Sequence, residues 1–173
     1  MTVYLAIPIL DELVRIVEDH PDHEDTVKAM ASGILNYHFP PTNGYTVTPE
    51  QNSDYTAMVT LRIRRYFPGD RGLADHTVVG VERAKDSLNA SLGQLENALE
   101  HINIKFGRGW AIVVHGYTFN FYEYHASLPE HARLIPWGPP SQQQQNSFHA
   151  REDGVVIDWM LRHMAQNDRP VNM

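Results

Sequence analysis

Residues 77–102, TVVGVERAKDSLNASLGQLENALEHI, decide the fold of this chain. The first part, TVVGVERAK, is rich in β-branched residues and predicts a strand. Apolar residues then recur every three or four positions and predict a helix with one buried face: Leu88, Leu92, Leu95, Leu99 and Ile102. Asp86 or Ser87 can cap the first turn of this helix. A helix in this position carries the chain back across the sheet to the next strand.

The segments on both sides of this stretch predict an α+β fold with an α/β-like core. Before it, apolar spacing predicts a helix at residues 9–19 and a second helix that begins near Asp22 or Asp25. After a turn at residues 40–44 the period changes to two, which predicts a strand from Tyr45 and another that Asp54 opens. Two strands at 110–114 and 117–124 and a helix at 155–164 complete the chain. The predicted order is helix, three-stranded meander, helix, strand pair and C-terminal amphipathic helix.

The C-terminal part of the sequence predicts a division of the chain into three segments. Residues 1–135 form the core domain, and residues 136–150 contain the stretch PWGPPSQQQQNS, whose composition is typical of a flexible linker. Residues 151–173 carry the last helix. Its apolar face packs either on the body of the same domain or on another chain, and the second alternative predicts a homo-oligomer.

Composition excludes several classes of function. The 173 residues include no cysteine, so disulfides, thiolate metal sites and cysteine nucleophiles are excluded. With 21 acidic and 14 basic residues the net charge is -7, which argues against a protein that wraps duplex DNA. No signal peptide and no apolar span of membrane length is found, so we expect an intracellular protein, cytoplasmic or nuclear, without a membrane partner.

Two acidic residues are candidates for metal chemistry. Asp54 lies at the start of the second predicted strand and Glu82 lies inside the third, so their carboxylates converge if those strands are neighbours. Paired carboxylates are hard ligands that suit Mg²⁺ or Mn²⁺, and such an ion can activate a water molecule and bind a phosphate.

Residues 24–125 resemble the PD-(D/E)XK nuclease-like superfamily, in particular its small, divergent fungal members. The matching positions are Asp54 before the second strand, Glu82-Arg83-Ala84 in the third, and Gln94 on the following helix. The resemblance implies a Mg²⁺- or Mn²⁺-dependent nuclease site in which Asp54 and Glu82 bind the metal and Gln94 completes the catalytic set.

The motif departs from the family at one position. Side chains two residues apart share a face of a strand, so the lysine expected beside Glu82 belongs at position 84, which is alanine. Arg83 and Lys85 point to the opposite face unless a bulge re-aims one of them. The missing amine favours a weakly active or non-hydrolytic protein that serves as a binding or assembly module. The alternatives are a nuclease in which Lys85 or Arg83 replaces the amine, and an enzyme or binding protein for a small molecule.

Basic and aromatic residues provide candidate binding positions. The segment from Arg62 to Lys85, which includes Arg64 and Arg83, can present a basic row to nucleic acid. Alternatively, these arginines pair with the acidic N-terminal helices. His115 at a strand end is a candidate general base, with Tyr117 beside it as a small-molecule contact, although a loop histidine and a core tyrosine would have the same sequence pattern.

Overall fold

A computed structural model describes residues 4–50, 59–67, 69, 72–102, 104, 107–140 and 145–170 of the chain. Four α-helices lie within these residues: α1 (Pro8–Asp19), α2 (Glu24–His38), α3 (Leu88–Glu100) and α4 (Gly154–Gln166). The strands of its sheet are β1 (Tyr45–Glu50), β2 (Val59–Phe67), β3 (Gly72–Glu82), β4 (Arg108–His115), β5 (Thr118–His125), β6 (Leu134–Pro136) and β7 (Ser147–His149). The predicted α+β fold is confirmed. No helix in the described ranges is both long enough and apolar enough to span a bilayer.

The sheet is mixed, with one parallel pair at its centre. Its order is β1-β2-β3-β4-β5-β6, and β7 also pairs with β5. Neighbouring strands are antiparallel except β3 and β4, which pair in parallel with Glu82 opposite His115. The helix α3 makes the connection between these two strands, as the sequence predicts. Ser87 caps it by accepting a hydrogen bond from the backbone N–H of Ala90.

Helices cover both faces of the sheet and create two cores. The larger core lies under α1, α2 and α4 and includes the inward side chains of the central strands, among them Val79, Val81 and Ile112. The smaller core lies under α3, where Leu95 and Leu99 pack on Val78 and its neighbours. Because the β3 segment is covered on both faces, residues 74–81 are all buried, without the alternation of a half-exposed strand.

The segment after β6 is attached to the sheet where the structure describes it. Trp137 donates its backbone N–H to the carbonyl of Phe121, and Phe121 donates its own N–H to the carbonyl of Asn146, both at 3.0 Å. Phe148 of β7 is buried. Residues 141–144 lie outside the described part, and there the flexible linker stays a prediction. On either side the chain forms strands of three residues, which are too short to show a period in the sequence.

The C-terminal helix is part of the same core as the N-terminal helices. Of the two partners that the sequence left open for it, the structure shows the body of the domain. Its inner face buries four large apolar residues in the larger core: Ile157, Met160, Leu161 and Met164. The predicted boundaries after residues 135 and 150 therefore do not separate one hydrophobic core from another within the described residues.

Three ring side chains hold the C-terminal end of α4 on the sheet. The hydroxyl of Tyr45 donates to the carbonyl of Ala165 at 2.6 Å. His76 Nε2 and Trp110 Nε1 both donate to the carbonyl of Asn167, at 3.1 and 3.0 Å. The last carbonyls of a helix have no partner within it, so these bonds satisfy groups that the larger core would otherwise leave unpaired.

We predict that Tyr45→Phe destabilises the protein by about 1 kcal/mol, because the carbonyl of Ala165 loses its donor while the ring keeps its packing. Urea unfolding followed by circular dichroism measures the difference. Tyr66→Phe is the matched control, since Tyr66 lies in the same sheet and is 51% exposed. Equal stability of the two variants would contradict the role assigned to this hydroxyl.

We also predict that stability falls as the pH is lowered from about 6.5 towards 4. Burial lowers the pKa of His76 to about 4, so in this range the unfolded chain takes up a proton that the folded protein excludes. The difference between this pKa and the ordinary value for histidine corresponds to about 3 kcal/mol in the free energy of unfolding. His76→Gln keeps a side-chain N–H donor and should flatten this part of the stability profile, whereas His131→Gln, at an exposed histidine, should not. If the stability of His76→Gln fell with pH as steeply as that of the unchanged protein, His76 would be excluded as the source of the pH dependence.

Candidate site at the end of strand β3

The parallel pair brings two predicted residues to one edge of the sheet. Glu82 ends β3 and His115 ends β4, and the two residues are register partners. The backbone N–H of Gly116 donates to the carbonyl of Glu82 at 2.9 Å and closes this end of the pair. In sheets with parallel strands, ligands bind beyond the carboxyl ends of those strands. Glu82 and His115 therefore lie where a site is expected.

The turn between β3 and α3 adds a second carboxylate. Asp86 accepts hydrogen bonds from the backbone N–H and the guanidinium of Arg83, at 3.1, 3.0 and 2.9 Å. His115 Nε2 donates to the carbonyl of Asp86 at 2.7 Å, so this nitrogen carries the proton. Asp86 thus holds Arg83 with its side chain and His115 with its backbone.

The carboxyl groups of Glu82 and Asp86 are hydrogen-bonded to each other. Burial and a hydrogen bond with Asp86 raise the pKa of Glu82 to about 7. The Arg83 guanidinium holds the pKa of Asp86 at about 2. The hydroxyl of Ser91, a buried residue on α3, contacts Glu82 and opposes part of the rise. Below about pH 7 Glu82 therefore carries a proton that it can donate to the Asp86 carboxylate.

This arrangement suits proton exchange better than metal binding. A carboxyl group that titrates near pH 7 can act as a general acid or base. A protonated carboxyl is a poor ligand for Mg²⁺ or Mn²⁺. Within the ranges that the structure describes, no three His, Asp or Glu side chains come together in a way that could hold a metal ion. Asp54 lies outside the described residues, so the predicted Asp54–Glu82 metal pair stays a prediction.

Position 84, where the resemblance predicts a lysine, is occupied by a small, packed alanine. β3 ends at Glu82, three residues earlier than the sequence indicates, so position 84 is in a turn. Ala84 donates its N–H to the carbonyl of Pro21 at 3.0 Å. A Cβ on Gly116 would lie 2.8 Å from the Cβ of Ala84, so these two segments of the backbone are in close contact. Lys85, the predicted replacement, is exposed, and its backbone N–H donates to Asp22 at 2.9 Å.

The predicted basic row is neutralised within the sheet. Arg62 donates to both carboxylate oxygens of Asp75, at 3.1 and 2.6 Å, and to Glu50 at 3.1 Å. Arg64 also contacts Asp75, at 3.3 Å. The alternative prediction pairs these arginines with the N-terminal helices; Arg62 and Arg64 bind acids of the sheet, while Arg83 is within electrostatic reach of Glu24 on α2. In α1, Asp11 and Glu18 pair with Arg151, and Glu12 and Asp19 pair with Arg15 of the same helix.

Two further predicted residues lie away from Glu82. Gln94 faces a shallow pocket between α3 and the loop at Glu130, together with Glu96 and Glu100. Tyr117 packs against His149 with ring centroids 4.7 Å apart and borders the larger core. The described structure therefore pairs Glu82 with His115, while Gln94 lines this pocket and Tyr117 borders the larger core.

Sequence reasoning missed Asp86 and Ser91 as members of this cluster. Asp86 was considered only as a helix cap, although it follows Glu82 by four residues across a tight turn. Ser91 lies four residues before Leu95 on the buried face of α3. A small polar residue in an apolar stripe is the signal that could have identified it.

We predict that Glu82→Gln is more stable than the unchanged protein at pH 8 and equally stable at pH 4. Because the folded pKa of Glu82 is raised, its contribution is complete below about pH 4.5 and is lost as the pH rises to about 7. The amide keeps a donor towards Asp86 and cannot ionise. We expect a gain of about 1 kcal/mol after solvent screening is allowed for. Chemical unfolding at both pH values measures it, with Glu130→Gln as an exposed control.

Comparisons of the chain with protein families, with curated proteins and with solved structures found no match. Assignment of a function therefore depends on the residues of this chain alone: the hydrogen-bonded carboxyl groups of Glu82 and Asp86, His115 beside them, and Ala84 at the position where a lysine was expected.

Proposed function

We propose that this chain is a nuclease-like protein with an incomplete acid-x-lysine motif, which binds or assembles with a partner and does not hydrolyse phosphodiesters. The observation that carries the proposal is the packing of Ala84 against Gly116. A cation beside the acidic residue orients water and offsets the charge that develops on phosphate, and its loss removes about 10² to 10³ in rate. The resemblance itself, which rests on the motif residues and the order of elements, is part of this proposal.

The protonation of Glu82 supports the same conclusion. A metal-dependent nuclease needs its acidic ligands ionised at neutral pH, because the metal binds carboxylate oxygen. Glu82 holds a proton until the pH approaches 7. A divalent ion would have to displace this proton and break the hydrogen bond with Asp86 before it could bind.

The arginines favour a protein partner over nucleic acid. Arg62 is only 16% exposed and already binds two acids, and Arg83 is bound to Asp86. A phosphate backbone would have to compete with these intramolecular carboxylates. The net charge of -7 adds a general repulsion between the chain and a polyanion.

A second candidate function is acid–base conversion of a small molecule. It is favoured by one observation, namely that the pKa of Glu82 is close to neutrality. Groups with this property cluster at functional sites because they can both accept and release a proton. In that case Glu82 would be the acid or base, and His115 would orient the substrate.

A cleavage assay tests the first proposal. We expect no hydrolysis of single- or double-stranded DNA or RNA with Mg²⁺ or Mn²⁺ at pH 6 or pH 8, beyond that seen with Glu82→Gln. At pH 8 Glu82 is ionised, so this condition gives a nuclease its best opportunity. Metal-dependent cleavage that is lost in both Glu82→Gln and Asp54→Asn would overturn the proposal and establish the nuclease alternative. Calorimetric titration with MnCl₂ at both pH values reports whether metal binds at all.

A further inference from the structure

The outer face of α4 carries an exposed apolar pair. Val155 and Trp159 are 67% and 43% exposed and lie one helical turn apart. The indole of Trp159 is stacked on His163 at a centroid distance of 5.4 Å and packs on Trp137 at 6.3 Å. These contacts fix one side of the indole and leave the other side available to solvent.

Opposite charges flank this pair. Glu152 is exposed three residues before Val155, and Arg162 is exposed three residues after Trp159. Asp158 accepts a hydrogen bond from Arg162 Nε at 2.7 Å, which holds the guanidinium in place while half of the side chain stays exposed. The outer surface therefore carries an acidic residue in the turn just before α4, followed by two apolar residues and a basic residue along the helix. We call these four residues the α4 stripe (Glu152, Val155, Trp159 and Arg162).

We propose that the α4 stripe binds a second copy of this chain through an antiparallel, two-fold symmetric contact. This inference deepens the proposed binding role. In a two-fold symmetric contact, a residue i that contacts residue j of the second copy implies that residue j of the first copy contacts residue i of the second. When Val155 lies opposite Trp159 of the second copy, the same register places Glu152 opposite Arg162. Both apolar residues are covered by apolar residues and both charges meet opposite charges.

Other occupants fit the stripe less well. A parallel arrangement of two copies would place Glu152 beside Glu152 and Arg162 beside Arg162, so that like charges meet. A strongly basic or strongly acidic partner would match only one end, because the stripe carries one charge of each sign. The pattern is complementary to itself when it is reversed.

The contact should be weak. It involves about two helical turns from each copy, which is less than the roughly 800 Å² per partner of a typical stable complex. We expect a dissociation constant roughly between 10 and 500 μM, a range set by the small area and the lack of a deep pocket. The oligomeric state must therefore be measured at concentrations up to the millimolar range.

Sedimentation equilibrium of the full chain tests this inference. We expect a monomer–dimer equilibrium in which Val155→Glu raises the dissociation constant about tenfold or more, because a charge replaces a central apolar contact. Ile9→Glu is the matched control, since Ile9 is 62% exposed on α1, and it should leave the constant unchanged. Circular dichroism confirms that both variants are folded. A monomer at 1 mM, or a dimer that Val155→Glu does not weaken, would overturn the inference.

The absence of cysteine allows an independent test of the register. A mixture of Val155→Cys and Trp159→Cys proteins should form a disulfide-linked heterodimer under mild oxidation. A mixture of Ile9→Cys and Trp159→Cys proteins should cross-link several-fold more slowly. Equal rates would exclude the antiparallel register. A monomeric chain without cleavage activity would overturn this inference alone, whereas a dimeric chain with metal-dependent cleavage would overturn only the proposed function.

Discussion

The parallel pairing of β3 with β4 determines where the chemistry of this chain can lie. Two strands that run in the same direction end at the same edge, so Glu82 and His115 become neighbours. The same pairing requires a crossover connection, because a tight turn cannot join parallel strands. That connection begins with the turn that carries Asp86 and continues into α3, whose buried Ser91 reaches the carboxyl of Glu82. The candidate site therefore follows from the sheet topology and from a single turn.

Charge within the sheet is balanced locally. Asp75 is almost completely buried, and two arginines of the neighbouring strand satisfy its carboxylate. A buried acid without such partners would be strongly destabilising, whereas the paired group adds little net stability and mainly specifies the arrangement. The register of β2 on β3 is irregular between Ile63 and Arg64, and Arg64 pairs with Asp75 just beyond that point. The arginines thus have a structural role that accounts for their position without any external ligand.

Local periodicity was sufficient to predict most of the elements, and distant contacts were not predictable. The leucine spacing of α3 and the alternation in β1 are properties of neighbouring residues, and both elements are found where expected. The attachment of α4 depends on Tyr45, which is 120 residues from the carbonyl that it binds. Proximity of this kind leaves no trace in a single sequence. For the site, His115 was expected at the end of a strand and Glu82 inside one, and the raised pKa of Glu82 depends on Asp86, which approaches it across the turn.

The two ends of α4 lie at opposite ends of the sheet. The C-terminal end of α4 is held by Trp110 near the beginning of β4, and His115 lies at the end of that strand. At about 3.3 Å per residue the five steps between them correspond to roughly 16 Å. The N-terminal end of α4 follows β7, and His149 of β7 pairs with Thr118, which is also the register partner of His115. Because Glu152 follows His149 by only three residues, the α4 stripe begins at the end of the sheet that carries the candidate site, and the two surfaces are neighbours in the fold.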